Sequence, residues 1–352
     1  FAVQSGTSGT DQLAVPAMII DANSRISLSN NDSGAQNTIF GKSAGNLLTS
    51  GCDENVIIGD LAMDAADGTE SYNVCIGSGA MGAVDEGSNE ANSNVAIGAG
   101  ALTGGIVGSS SLSGNIAIGA FALDATSTNP LIGTIAIGYS ALGALTSGAN
   151  NVAMGYQAMS TATTALNSVS IGRWSMKNVK AAVAADGCIA IGASSLYGNS
   201  SNDTTIGGSI AIGSASLYAL QTGIGNIGIG YTSLTALTTG VGNTAVGYAA
   251  MATNVDGSYN TAVGYESLYT FEADTANHGQ NTGVGYQSGK FISTGTGNTF
   301  LGYKSGLGIT GTPLLGNGNT TVGQEAGLLL QGAAAGNTLL GSNAGVAITT
   351  GT

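Results

Sequence analysis

The chain has 352 residues, of which 8% are charged and 59 are glycine. Ordinary domains carry about 25% charged residues, so this composition predicts a neutral surface of small side chains. The 20 acidic and 7 basic residues give a formal net charge of −13. That balance excludes the basic stripe with which proteins neutralise nucleic-acid phosphates, and it disfavours anionic membranes. No apolar run reaches the about 18 residues that predict membrane insertion.

The first predicted element is a β-hairpin that precedes the repeated part of the chain. Residues 12–29 alternate as a strand, a turn at Asp21 to Ser24, and another strand. We therefore divide the chain into a lead-in or attachment hairpin segment, residues 1–36, and a repeat segment, residues 37–352.

The repeat segment is built from an apolar run that ends in glycine. It recurs seventeen times between Asn37 and Gly341 at spacings of 17 to 21 residues. A short regular period is typical of a solenoid, whose neighbouring repeats bury each other's apolar faces. We predict an all-β fold, a parallel β-solenoid (β-roll or β-helix) of about 17 coils. The copies N-T-A-V-G-Y-A-A-M from Asn243 and N-T-A-V-G-Y-E-S-L from Asn260 define nine columns, with the leading Asn as column one.

Alternation along the run predicts which side chains point inward. Column two is Val, Ile or Thr and column four is always apolar, so we expect both to face the interior. Column three is then expected to point outward, and it is mostly alanine. These alanines predict either a close-packed outer wall or an inter-chain packing surface; they are Ala96, Ala117, Ala136, Ala153, Ala190, Ala211, Ala245 and Ala262.

The remaining columns predict how each coil turns and stacks. The invariant column-five glycine is expected at a corner where φ is positive or no Cβ fits. Columns eight (Ala or Ser) and nine (Leu or Met in twelve coils, glycine in five) predict a second short strand, with differently packed coils at both ends. Asparagine fills column one in thirteen coils, which predicts a ladder of side-chain amides.

Residues with catalytic or metal-binding chemistry are sparse. The single histidine, His278, cannot supply a His-based metal cluster, and no nucleophile lies in a triad context, so we predict a protein that is not an enzyme and needs no cofactor. Acidic loops offer Asp64, Asp67 and Asp85 as Ca²⁺ ligands. The alternative is a role in solubility, which the missing glycine-aspartate nonapeptide of calcium-binding β-rolls favours.

Tyrosine follows the corner glycine in seven coils. An aromatic column on the surface could stack against sugar rings; it could instead stack between coils or lie at a chain interface. These candidate ligand or glycan residues are Tyr139, Tyr156, Tyr231, Tyr248, Tyr265, Tyr286 and Tyr303.

The motif N-x-A-I-G-x-x-A-L, seen from Asn94 to Leu102 and from Asn115 to Leu123, resembles two families. These are the heads of trimeric autotransporter adhesins and the phage tail fibres with N-T-A-x-G-Y-x-A-L repeats. The fibre match is closer because adhesin-head coils are shorter, and the segment A-M-I-I-D-A-N-S-R-I-S from Ala17 resembles one that precedes such repeats. The resemblance implies a left-handed, homotrimeric, extracellular rod on a virion tail or cell surface, which acts as a spacer and attaches to a host surface or glycan.

Two other function classes remain open. Exposed coil edges could stack end to end, so that the chain associates with itself as a structural filament rather than as a homotrimer. An ice-binding solenoid would explain the regular threonines but needs them on a flat outward face. Thr38 and the column-two threonines from Thr244 to Thr338 are expected to point inward, which disfavours ice binding unless the register flips.

Overall fold

The computed structural model describes residues 36–84, 91–104, 111–125, 130–179, 185–198, 205–272 and 278–349, and the backbone of residues 19–20 and 26–27. The described residues form short strands and turns without any helix, and their parallel strands stack as a β-solenoid. The predicted fold class is thereby confirmed. The chain divides into two compact units, residues 1–134 and 135–352, a division that the repeat does not predict.

Two short strands lie in the lead-in segment. Ile19–Ile20 and Ile26–Ser27 pair antiparallel, with Ile19 opposite Ser27. The other residues of 1–35 lie outside the described ones, so the attachment role of this segment stays a prediction.

The first unit contains five three-residue strands that pair parallel and in register, each from one coil. They are Thr38–Phe40, Val56–Ile58, Val74–Ile76, Val95–Ile97 and Ile116–Ile118. A second small parallel sheet joins three of the loops, and its strands are Ala91–Asn92, Leu112–Ser113 and Leu131–Ile132. The column positions of successive coils therefore lie directly opposite each other.

The second unit continues the same pattern with twelve parallel strands, each paired in register with the next. They are Ile135–Ile137, Val152–Met154, Val169–Ile171, Ile189–Ile191, Ile210–Ile212, Ile227–Ile229, Thr244–Val246, Thr261–Val263, Thr282–Val284, Thr299–Leu301, Thr320–Val322 and Thr338–Leu340. At about 4.8 Å per coil these twelve strands span roughly 50 Å.

A tight corner follows each strand and explains the invariant glycine. Gly264 has φ +136°, and a Cβ added there would collide with the carbonyl oxygen of Gly285 in the next coil. Glycine is therefore required twice over, by conformation and by the close approach of the backbone, as predicted. The second strand predicted at columns eight and nine is wrong. Glu266 and Leu268 have φ of 50° and 48°, so the chain turns there instead.

The predicted direction of the strand side chains is also wrong. In the coil of Ile210–Ile212 the central Ala211 is fully buried, whereas Ile210 and Ile212 are half-buried. The buried side chains of columns eight and nine, here Ser216 and Leu217, fill the interior from the opposite side. Because the coil is narrow and close-packed, the strand contributes only a small residue to that space.

Where column nine is glycine, a column-three side chain of the same or the next coil occupies space in the core. Phe300 is fully buried, and its ring occupies the space that a side chain at Gly289 or Gly306 would take. At the last coil Leu339 contacts the equivalent space beside Gly345. The lost Leu or Met is thus replaced by a larger strand residue.

The asparagine ladder predicted in column one is present. The side-chain oxygen of Asn243 accepts hydrogen bonds from the backbone N and the Nδ2 of Asn260, both at 3.0 Å. Similar bonds link Asn37 through Asn115 and Asn226 through Asn337. Serine interrupts the ladder, and its hydroxyl oxygen accepts the bond instead, as at Ser209, 3.4 Å from the backbone N of Asn226.

Candidate binding surface

The surface with the strongest binding character is the strand face formed by columns two and four, here called the outward face. None of its positions from Thr38 to Leu340 carries a charged residue. Several of its large side chains are more than a third exposed, among them Ile58 at 36%, Met154 at 38%, Ile191 at 37% and Leu301 at 46%. Column four therefore presents a continuous apolar row to its surroundings, and column two adds a second apolar row in the coils where it is Val or Ile.

The alanines of column three do not form an inter-chain packing surface. Each is fully buried inside its own coil; they are Ala96, Ala117, Ala136, Ala153, Ala190, Ala211, Ala245 and Ala262. Column-eight serines of the preceding coil reach this column, as when Ser233 Oγ donates to the carbonyl of Ala245 at 2.9 Å. The small alanine side chain leaves room in the interior for the column-nine Leu or Met.

The outward face changes character within the second unit. From Ile135 to Ile227 column two holds Val or Ile, and from Thr244 to Thr338 it holds only threonine. These threonines share the side of the strand away from the buried column three, so their expected inward direction is wrong. The argument against ice binding depended on inward threonines, so it no longer holds.

Five tyrosines of consecutive coils form a continuous stack, here called the tyrosine ladder. It consists of Tyr231, Tyr248, Tyr265, Tyr286 and Tyr303. Ring centroids are 5.0 to 5.5 Å apart with interplanar angles of 9° to 19°. Each ring is between 41% and 53% exposed, so the ring edges and phenol oxygens face outward.

The two remaining candidate tyrosines form a shorter stack. Tyr139 and Tyr156 lie 5.4 Å apart, and the series stops where Arg173 follows the corner glycine. A third stack, Tyr197 with Tyr218 at 4.9 Å, was missed by the sequence analysis. It lies one position after column nine in adjacent coils, so comparing that column between coils would have revealed it.

The stacking limits which parts of the tyrosine rings a sugar can contact. A pyranose inserted between two rings would need about 7 Å, twice the contact distance of carbon atoms, but the rings are 5.0 to 5.5 Å apart. Within the ladder only ring edges and hydroxyls remain for a ligand. The predicted face-on glycan contact is therefore confined to the ends of the stacks.

One ion pair lies beside the ladder. Lys290 Nζ is 2.5 Å from Glu266 Oε2, and Gln287 Nε2 donates to the same oxygen at 2.8 Å. Burial raises the pKa of Glu266, but the hydrogen bonds from Lys290 and Gln287 outweigh it, so the pKa is lowered overall. Desolvation beside its stacked neighbours, followed by the charge of Glu266, raises the pKa of Tyr265.

The calcium candidates are not brought together. Within the described ranges no three His, Cys, Asp or Glu residues form a group that could hold a metal ion. Asp64 and Asp67 belong to those ranges, whereas Asp85 lies outside the described residues. Calcium binding stays a prediction without a geometric site.

The thiols and the histidine show no catalytic setting. Cys52, Cys75 and Cys188 are buried and unpaired. Burial raises the pKa of all three, that of Cys188 to about 11, which makes a reactive thiolate unfavourable. His278 is exposed in its loop. In the described part of the chain no helical segment is long and apolar enough to cross a membrane.

Comparison with known proteins finds no family model, no curated protein and no solved structure that matches the chain. Its candidate surface is therefore defined by its own residues, namely the outward face and the tyrosine ladder beside it.

Proposed function

We propose that this protein is a non-enzymatic extracellular fibre, a viral tail fibre or adhesin rod that serves as a spacer and as an attachment element. It acts as a homotrimer on a virion tail or a cell-surface appendage. The observation that carries this proposal is the outward face, which continues over consecutive stacked coils. The motif resemblance to tail fibres and adhesin heads supports the same conclusion, and the left-handed coil that it implies stays a prediction.

The outward face calls for a partner because of its size. Monomeric proteins rarely expose contiguous apolar patches above a few hundred Å². Column four is apolar on all twelve strands of the second unit, which span about 50 Å, and column two adds Val or Ile on the first six, so the apolar area reaches that range. The neighbouring Ile189–Ile191 and Ile210–Ile212 illustrate the chemistry, since every outward residue in them is isoleucine.

A second copy of the chain is the partner that fits. It presents the same rows at the same coil spacing, so parallel copies match position by position within each unit. The formal charge of −13 makes copies repel each other in general, yet the outward face carries no charge. Contact through this face therefore brings copies together without pairing like charges.

Sedimentation of two matched variants tests the proposed assembly. Ile212→Glu places a charge on the outward face, whereas Ser214→Glu places it at an exposed position of the same coil. We expect a trimer mass independent of concentration for the wild type and for Ser214→Glu, and a lower mass for Ile212→Glu with an unchanged far-ultraviolet circular dichroism spectrum. Ile212→Ser serves as a milder variant if the glutamate disturbs folding.

Other outcomes would overturn the trimer. A wild-type monomer at all concentrations would leave the outward face without its partner. Long polymers would favour the alternative, a self-assembling structural filament that stacks end to end. Equal masses for Ile212→Glu and the wild type would place any interface elsewhere.

Attachment to a host cell surface or glycan forms the other part of the proposal, with neither nucleic-acid binding nor membrane insertion. The seven candidate tyrosines stay the predicted contact residues, now through hydroxyl groups and ring edges. Replacing Tyr248, Tyr265 and Tyr286 together by serine should abolish cell or glycan binding while the fold is retained. Undiminished binding by the folded variant would discard this role.

One observation favours a second candidate function. Threonines at 244, 261, 282, 299, 320 and 338 form a regular outward row, as an ice-binding solenoid requires. Thermal hysteresis at micromolar protein that disappears in Thr261→Lys would establish ice binding. Hysteresis that is absent in the wild type would exclude it.

A further inference from the structure

Three sulfur-bearing side chains meet inside the first unit. Cys75 Sγ lies 3.3 Å from Met81 Sδ and 3.7 Å from Met63 Sδ. All three side chains are fully buried, and together they are here called the sulfur cluster. The thiol has one hydrogen, so it can donate to only one of the two thioethers at a time.

The repeat brings the sulfur cluster together. Met63 and Met81 occupy column nine of adjacent coils, so the coil spacing of about 4.8 Å places their side chains next to each other. Cys75 occupies column three of the second of these coils, and both columns point into the same interior. Column three is mostly alanine, and Cys75 is its only cysteine. The thiol therefore stands where it meets a methionine from each of two coils.

The second unit contains the same pair of methionines without the thiol. Met159 and Met176 also occupy column nine of adjacent coils, and the corresponding column-three residue is Ser170. The Ser170 hydroxyl donates to the carbonyl oxygen of Ser175 at 3.0 Å. This pair provides two thioethers and a hydroxyl, so the chain carries its own comparison for the sulfur cluster.

One thiolate and two thioethers are a donor set for a soft metal ion, and such ligands select Cu(I). Among the described residues, Cys75 belongs to no group of three His, Cys, Asp or Glu side chains, so donors for a harder ion do not surround it. Metal–sulfur bonds of about 2.3 Å place three sulfur atoms about 4.0 Å apart around a trigonal metal. The sulfur atoms need shifts of less than about 1 Å to reach that geometry, which flexible methionine side chains accommodate.

The apolar surroundings determine the charge of the ion. Burial raises the pKa of Cys75 far above its ordinary value, so the thiol is neutral without metal. When a monovalent ion binds, the S–H bond breaks, its proton passes to water and an S–metal bond forms without any change of oxidation state. The thiolate and the ion then have no net charge. A divalent ion would leave a buried positive charge, which is strongly unfavourable.

We propose that the sulfur cluster is a buried binding site for Cu(I), with the Cys75 thiolate and the thioethers of Met63 and Met81 as its three ligands. The ligands point into the coil and not toward the outward face. The inference therefore depends neither on the fibre function nor on association between copies. Because the three side chains are inaccessible to solvent, the metal enters through a transient opening of the coil, and we expect slow uptake.

Anaerobic dialysis of the full chain against Cu(I), with bathocuproine disulfonate as the competing chelator, tests the site. Dialysis continues until the copper content is constant, because uptake is slow. We expect one tightly held Cu(I) per chain, sulfur ligands at about 2.3 Å in X-ray absorption spectra, and a higher melting temperature, since the site exists only in the folded chain. A wild-type chain that retains no more copper than Cys75→Ala would overturn the proposal.

Variants of the sulfur cluster distinguish a three-sulfur site from a single thiol. Cys75→Ala and Met81→Leu introduce the commonest residues of columns three and nine, so the coil should remain folded. We expect Cys75→Ala to lose the bound metal and Met81→Leu to bind it at least about tenfold more weakly. Cys188→Ser is the matched control, since it removes a buried thiol elsewhere and should bind as the wild type does. Unchanged affinity in Met81→Leu, or an equal loss in Cys188→Ser, would contradict the assignment.

The converse test adds a thiol to the second methionine pair. Ser170→Cys should raise the capacity to two Cu(I) per chain, because it completes the same set of donors beside Met159 and Met176. Ala211→Cys places a thiol in the same column beside leucines at 196 and 217, and it should not raise the capacity. Equal copper contents in these two variants would show that the methionines are not ligands. Circular dichroism and melting temperature confirm that each variant is folded.

Discussion

The second unit contains two sets of six coils that share a backbone and differ chiefly in columns two, four and nine. The strands from Ile135 to Ile229 carry Val or Ile in column two, and those from Thr244 to Leu340 carry threonine. Both sets pair in parallel and in the same register. The hydrogen-bonded strands and the corner glycines therefore maintain the coil, while the outward chemistry is free to change.

The two sets also differ in what stacks along the axis. In the threonine set the asparagine ladder is unbroken and four of the five ladder tyrosines are present. In the isoleucine set serine or cysteine occupies column one at 168, 188 and 209, and three coils have a tyrosine after the corner: Tyr139 and Tyr156 form a pair, and Tyr231 stacks on Tyr248 of the threonine set. Polar ladders thus accompany the less apolar outward face.

The interior stays filled because side-chain size in column three compensates for side-chain size in column nine. The isoleucine set fills its interior with Leu or Met from column nine and mostly alanine from column three. In the threonine set Gly289 and Gly306 leave space that Phe300 occupies. The same interior can therefore be filled from either side of the coil, provided that the sum of the two side chains fits.

Phe300→Ala is expected to have the largest effect on this comparison. It removes a fully buried ring from a site whose partners are glycines, so the cavity has little to fill it, and the free energy of unfolding should fall by about 3–5 kcal/mol. Denaturant unfolding measures the loss.

The compensating variant sharpens that prediction. Adding Gly306→Leu to Phe300→Ala restores the column-nine leucine of the isoleucine set and refills the cavity. It should recover part of the lost stability because leucine tolerates this backbone in column nine, with φ of 50° at Leu217 against 57° at Gly306. A double variant no more stable than Phe300→Ala would contradict the exchange between columns.

Asn260→Ala should have the next largest effect. It removes the bond from Asn260 Nδ2 to Asn243 and leaves the backbone N and the Nδ2 of Asn281 without their acceptor, which should cost about 2–3 kcal/mol. Asn260→Ser should cost less, since serine occupies this column in the isoleucine set and its oxygen accepts the same bond. If thermal unfolding shows the same loss of stability in Asn260→Ala and Asn260→Ser, the ladder bonds contribute little.

Exchanging the outward residues tests whether the two sets differ in association. Thr244→Val, Thr261→Val and Thr282→Val together should lower the concentration at which copies dissociate by at least about tenfold, because each hydroxyl no longer has to be desolvated. The reverse exchange, Ile→Thr at 189, 210 and 227, should raise it. Dilution series in analytical ultracentrifugation that show no shift in either variant would argue against an interface on this face.

Glu266→Gln should have the smallest effect. Because the folded-state pKa of Glu266 is lowered, its contribution is present above the ordinary glutamate pKa and is lost as pH falls through the lowered value. Both side chains of the pair are 17% exposed, so the loss at neutral pH should be about 1 kcal/mol or less. Stability measured against pH should show a shallower acid limb in Glu266→Gln than in the control Glu325→Gln, and identical limbs would contradict the prediction.

The solenoid was predictable because its period, its glycines and its column-one asparagines each report a local backbone requirement. Gly264 and Asn260 behave as their columns indicate. The direction of the strand side chains was not predictable in the same way. Alternation separates two faces of a strand without saying which one is inside, and a shift of one residue exchanges them.

Side-chain volume indicates which face of the strand lies inside. Column three is alanine where column nine is Leu or Met in most coils, and it is Ile39, Phe300, Thr321 or Leu339 in four of the five coils where column nine is glycine. Two columns that compensate in size share one interior. The stacking of Tyr265 with its neighbours depends on ring orientation, which neither composition nor period reports.

The direction of the strand side chains is the claim on which the outward face, the corrected role of alanine and the proposed assembly all depend. It is tested most directly by the free energy of unfolding of Ala211→Leu beside Ser214→Leu, two substitutions in one coil. The structure predicts a loss of about 1–3 kcal/mol for Ala211→Leu, from overpacking, and a change within about 0.5 kcal/mol for Ser214→Leu. Equal stability of the two variants would contradict an inward column three.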